Sequence, residues 1–86
     1  MSEPADLMPL YGFLEGDTLG LVVLARRDET AADLVERLQA AAAVRVRYRS
    51  GMHLLVRDRI ARPDATLSEV GLTPLDRFDV VRREGA

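Results

Sequence analysis

The chain has 86 residues, of which 48% are apolar and 30% charged, with a net charge of −2. That is one globular domain, too short for two cores and too apolar to stay disordered. It has no cysteine, which excludes disulfides, thiolate metal sites and a cysteine nucleophile. It also has no lysine, which excludes Schiff-base chemistry and attachment through a lysine side chain.

In chain order, residues 1–8 are expected to form a flexible N-terminal arm, kept in solvent by Glu3 and Asp6 and broken by Pro4. The remaining 9–86 are expected to form the single domain. Leu10–Leu14 and Leu19–Ala25, two apolar runs around the turn-forming Glu15–Gly16–Asp17, read as a β-hairpin. Gly12 and Gly20 are expected to mark bulges in it. A helix follows. Thr30 and Asp33 have the spacing of a capping box, with Asp28 as a competing cap. Ala31, Leu34, Val35, Leu38 and Ala42 form one apolar stripe. Asp33, Glu36, Arg37 and Gln39 are left for the wet side.

Val44–Ser50 alternates without a break and reads as a strand, with Val44, Val46 and Tyr48 on one side and Arg45, Arg47 and Arg49 on the other. Ser50–Gly51 would turn it into a partner strand over Met52–Arg57. Thr66 and Glu69 cap a short helical turn, Gly71 stops it in the left-handed conformation, and Pro74 prevents its continuation. Leu67, Val70 and Leu72 would plug the open side of the core. Arg77–Arg83 is the last strand, with Phe78 and Val80 on one face and Val81 on the other. The predicted class is α+β: a mixed sheet of four or five strands, one main helix and a short helical turn before the last strand. With the last strand central and parallel to the first, this is the β-grasp roll.

The chemistry-bearing inventory is thin. His53 is the only histidine, so neither a histidine metal pair nor a triad drawing on a second histidine can be assembled. Asp28 and Glu29 sit beside a helix start, where acids are expected for the dipole. The six glycines are scattered and none opens the main helix, so there is no phosphate loop. No catalytic, cofactor or metal residue is assigned. The acids at the N-terminus and the lack of a run of roughly 18–20 apolar residues point to a cytoplasmic protein with no membrane partner.

Charge is unevenly placed: residues 1–43 carry three arginines against eight acids, residues 44–86 nine against six. The Arg45/Arg47/Arg49 stripe is the main surface feature of the sequence. Without aromatics to stack bases or a basic overall charge, it does not point to nucleic acid. A solvated strand face and a protein interface anchored by arginine both remain open.

The segment from Pro63 to Val81, with its Thr66–Leu67–Ser68–Glu69 turn and final apolar strand, resembles the closing segment of ubiquitin-like domains. Ubiquitin and the bacterial sulfur carriers of that layout end in Gly-Gly, whereas this sequence ends Arg83-Glu84-Gly85-Ala86; a sulfur-carrier role is not expected. The chain more closely resembles the small gamma subunit of bacterial toluene and alkene monooxygenase hydroxylases, the toluene-4-monooxygenase system protein B family. The matching positions are Phe13, Asp17, the LVVL run at 21–24, Asp33, Val35 and Glu36. They continue through VRVR at 44–47, Asp64, Thr66, Leu67, Glu69, Gly71, Leu72 and Pro74 to DVV at 79–81. The connection from helix to third strand is shorter than in that family, and the segment from Ser50 to Pro63 longer.

The resemblance implies a non-catalytic subunit. It would dock on the large diiron hydroxylase subunit, beside a beta subunit, in a dimeric assembly, with the diiron centre in the large subunit and no cofactor in this chain. The candidate interface residues are Arg45, Arg47, Arg49, Met8, Leu10, Tyr11, Arg82 and Arg83. A second resemblance, through the closing turn, is to the ubiquitin-like adaptors of type VII secretion systems.

Overall fold

The computed structural model describes residues 7–82. The elements are β1 (Leu7–Leu14), β2 (Gly20–Arg26), α1 (Ala31–Ala41), β3 (Met52–Val56), β4 (Arg59–Ile60), α2 (Leu67–Val70) and β5 (Arg77–Arg82). They form one mixed sheet in the order β2-β1-β5-β3-β4. β1 and β5 are parallel neighbours at its centre, and every other pairing is antiparallel. α1 lies across one face. This is the β-grasp roll expected from the sequence.

Local signals position the helices. Thr30 and Asp33 form a reciprocal capping box on α1, and Thr66 and Glu69 form another on α2. The two helix starts are stitched together: the Ala31 and Ala32 amides donate to the Ala65 and Pro63 carbonyls, while Leu67 and Ser68 donate to Glu29 and Arg27. Backbone donors that a helix start leaves unpaired are thereby satisfied without water. Gly71, at φ 90°, closes α2 in the left-handed region. The stripe of Ala31, Leu34, Val35, Leu38 and Ala42 is buried as expected, against Met8, Leu10, Leu54, Phe78 and Val80. Leu67 and Leu72 are buried beside them, and Val70 packs on the margin.

Four expectations need correction. Leu7 and Met8, assigned to the arm, belong to β1; residues 1–6 lie outside the described residues. Gly12 and Gly20 are not bulges, since the β1–β2 register runs unbroken from Leu7↔Arg26 to Phe13↔Gly20. They are places of close approach. A Cβ at Gly12 would lie 2.6 Å from Phe78 Cζ and 2.8 Å from Leu38 Cδ1, and one at Gly20 2.5 Å from Phe13 Cε2.

The third correction concerns Val44–Ser50, which is a connector and not a strand. Hydrogen bonds from Ala43, Arg45 and Val46 back to Ala40 and Ala42 continue the end of the helix into turns. β5 has one free side for a chain returning from α1, and Met52–Val56 takes it, burying Met52, Leu54 and Val56. The hairpin partner of β3 is therefore β4, across the tight turn Arg57–Asp58, whose φ angles of 50° and 67° are both positive.

The fourth is Gln39, expected in water but only 3% exposed. Its amide donates to the Arg49 carbonyl at 2.9 Å and accepts from the Arg49 amide at 3.0 Å. This pair of bonds ties the connector to α1.

Candidate partner-binding surface

A strand sends alternate side chains to opposite faces, and in β1 and β2 both sets are apolar. Met8, Leu10 and Leu14, with Val23 and Ala25, face the helix and are buried. Leu7, Pro9, Tyr11 and Phe13, with Val22 and Leu24, face the opposite way, where no element of the described residues covers them. The register places Leu24 beside Pro9 and Val22 beside Tyr11. Exposure is 54% at Leu24, 62% at Val22 and 43% at Tyr11. His53, Leu55 and Val81, each half-buried, continue this face across β3 and β5.

Leu75 adds to the same surface. It is 60% exposed and sits at φ 71°, in the left-handed region that a leucine rarely occupies. Its amide donates to the Pro9 carbonyl at 2.6 Å. The turn holding it is fixed by Asp76, whose carboxylate accepts from the Thr73 amide (2.9 Å), the Thr73 hydroxyl (3.1 Å) and Arg57 Nη2 (2.7 Å). These bonds, the Thr73 amide foremost, hold the Asp76 carboxyl below its usual range.

The charges on and around this face cancel locally. Arg77 pairs with Asp79 (3.0 and 3.1 Å) and stacks over the Phe13 ring at 4.1 Å. The Asp79 carboxylate raises the Arg77 pKa. Arg26 lies 3.6 Å from Asp28, and Arg57 is taken by Asp76. What remains is an apolar surface whose neighbouring arginines are paired with carboxylates.

The residues singled out in the sequence do not assemble into one site. Met8 and Leu10, expected on the partner surface, are fully buried because their parity points to α1. Tyr11 is on the open face. Arg45, Arg47 and Arg49 share no strand face. Arg45 makes a bidentate pair with Asp17 (2.7 and 3.1 Å). That bond holds the Asp17 carboxyl below, and the Arg45 guanidinium above, their ordinary values. Arg49 donates to the Glu15 carbonyl at 3.1 Å. Both arginines thus bind the connector to the β1–β2 turn, and among the described residues Arg47 has no such side-chain partner.

Tyr48, expected to point inward, is exposed and donates to Glu36 at 2.7 Å, a bond that raises its pKa. Arg82 ends β5, its amide donating to Glu15 at 3.1 Å. Arg83 lies outside the described residues. The open-face residues Phe13, Val22, Leu24 and Leu75 are not among the interface residues expected from the sequence. The available signal was that LYGFL and LVVL are apolar at both parities, which needs cover on both sides of the sheet. Among the described residues, no three His, Asp or Glu side chains are grouped to hold a metal ion, and no helix is long and apolar enough to cross a membrane.

Solved structures resemble this chain closely. A chain of the toluene 4-monooxygenase HD complex with the inhibitor 4-bromobenzoate superposes with a TM-score of 0.82 at 25% identity, covering 90% of this chain and 99% of that one. The ubiquitin of Caldiarchaeum subterraneum matches with a TM-score of 0.74 at 17% identity, over 93% of this chain and 99% of its own. A protein designed on the basis of ubiquitin gives 0.77 at 20%, over 98% and 96%. The fold is ubiquitin-like. The resemblance found in the sequence to the ubiquitin-like component of toluene monooxygenase has its structural counterpart in the first of these matches. No family model matches the chain, and no curated protein matches it in sequence.

Proposed function

We propose that this protein is a small, non-catalytic gamma subunit that docks on the diiron hydroxylase of a bacterial toluene, aromatic or alkene monooxygenase through the open face of its sheet. The observation that carries this reading is the uncovered apolar surface of Tyr11, Val22, Leu24 and Leu75, in a chain similar to one from a toluene 4-monooxygenase complex. Exposed apolar patches edged by polar residues are characteristic of protein interfaces. Aromatic and aliphatic anchors carry most of the binding energy in such surfaces. The locally cancelled charges call for an equally neutral, apolar surface on the partner, which the large diiron subunit would supply. The beta subunit would complete the assembly, and oxygen chemistry and substrate would belong to the large subunit.

The test is a pull-down of the tagged protein from its native host, with mass spectrometry and iron analysis of the co-purifying chains. A near-stoichiometric, iron-containing hydroxylase subunit is the expected result. Recovery of membrane secretion components would replace this reading with the adaptor one.

A further inference from the structure

The sheet edge farthest from β2 carries a second surface of different character. Between the β3–β4 hairpin and α2 runs a groove of ≈ 530 Å³. Val56, Ala61 and Val70 line it, with Ala61 and Val70 packed on the margin of the core. Arg57, Arg59 and Arg62 also line it, and all three are exposed.

Against these three cations the groove lining has one carboxylate, Glu69, which accepts from the Thr66 amide at 2.9 Å. Arg59 has no side-chain partner among the described residues. Arg57 and Arg62 have partners in Asp76 and Asp64, but exposed pairs of this kind are weak and leave guanidinium donors unused.

The backbone adds a further feature. Ala61 donates to the Leu54 carbonyl at 2.9 Å, and the tight turn pairs Val56 with Arg59. The N–H and C=O of Ile60, between them, therefore point away from β3 to the open edge.

We infer that this groove binds an extended acidic segment of a partner protein. An apolar side chain of that segment would rest on Val56, Ala61 and Val70, and its carboxylates would meet Arg57, Arg59 and Arg62. Its main chain would add to the edge at Ile60, a common mode of peptide recognition. A bare inorganic anion would leave the apolar floor uncovered. Nucleic acid would find no aromatic side chain in the groove on which to stack. The groove and the Tyr11–Leu24 surface lie toward opposite edges of the sheet, with Arg57, paired to Asp76, between them, and the groove does not depend on the proposed docking.

The test is a titration of the ¹⁵N-labelled full chain with a short acetylated peptide alternating glutamate with leucine and valine. A counterpart with glutamine in place of glutamate serves as the comparison. Saturable amide shifts at Val56, Ile60, Ala61 and Val70 are expected, with the glutamine peptide about tenfold weaker, as loss of a charge-assisted hydrogen bond requires. Arg59→Glu, at an exposed position, should retain the spectrum of the folded chain and weaken the acidic peptide by about tenfold or more. Equal binding of the two peptides, no saturable shift, or shifts centred on Tyr11 and Leu24 would each overturn the assignment.

Discussion

In β1 and β2 the two faces of the sheet are built from the same kind of residue and meet different fates. On the inner face Met8, Leu10, Phe78 and Val80 are fully buried beneath α1, and on the outer face Tyr11, Val22 and Leu24 stand in solvent. Both sets follow the same period of two, so side-chain chemistry alone does not distinguish them. The difference lies in cover. The described residues provide one long helix and one single-turn helix, and both pack on the same side. An apolar face left bare among the described residues has the character of a protein interface.

The comparison can be broken most severely at the inner face. Phe78→Ala should cost about 3–5 kcal/mol, through lost burial and the cavity left behind, and chemical denaturation would read it directly. A loss under ~1 kcal/mol would mean that the core is not where the burial places it. Gly12→Ala probes the same face from the opposite direction. Its Cβ would press on Phe78 and Leu38, and overpacking of this kind costs about 1–3 kcal/mol.

The outer face should respond in the opposite sense, with stability kept and docking lost. Leu24→Asp is expected to change stability by under ~1 kcal/mol but to weaken co-purification with the hydroxylase by on the order of 2 kcal/mol, about thirtyfold. Leu75→Gly sharpens this further. It relieves a leucine held at positive φ, at a cost of about 1–2 kcal/mol in that region, so the free protein should be no less stable while binding weakens. Arg47→Glu, on the connector, should leave co-purification unchanged. If Arg47→Glu abolishes binding and Leu24→Asp does not, the docking surface is the connector and not the sheet.

The smallest effect expected is pH-dependent. The hydrogen bond from Arg45 holds the Asp17 carboxyl in the folded state below its ordinary, unfolded value. The stabilisation from this pair is fully present above that unfolded value and is lost as pH falls through the lower folded one. Arg45→Ala should therefore flatten the loss of stability below about pH 4, measured by denaturation midpoints across that range. An unchanged acid limb would show that the pair contributes nothing to folding.

Much of this architecture was legible in the sequence because its causes are local. The stripe on α1 follows from helical periodicity. The Thr30–Asp33 and Thr66–Glu69 boxes follow from side chains reaching their own helix starts, and the stop at Gly71 from the freedom of a residue without a Cβ. The β1–β2 hairpin and the last strand follow from alternation around turn residues. The parallel placement of β5 beside β1 follows from the need to cross over after the helix. These features depend on neighbours a few residues apart or on the order of elements.

Tertiary structure decided what depends on distant partners. Val44–Ser50 alternates more regularly than Met52–Val56, but β5 offers one free side, and the second segment takes it. With no ladder to join, the connector exposes Val44 and Tyr48, sends Arg45 and Arg49 to the β1–β2 turn, and leaves Arg47 in solvent. Gln39 looked solvated until the backbone at Arg49 was brought against it. Met8 and Leu10 are buried because α1 covers their parity, and Tyr11 is exposed because no element of the described residues covers the other. Periodicity records which side chains share a face; which face is covered is a non-local outcome of packing.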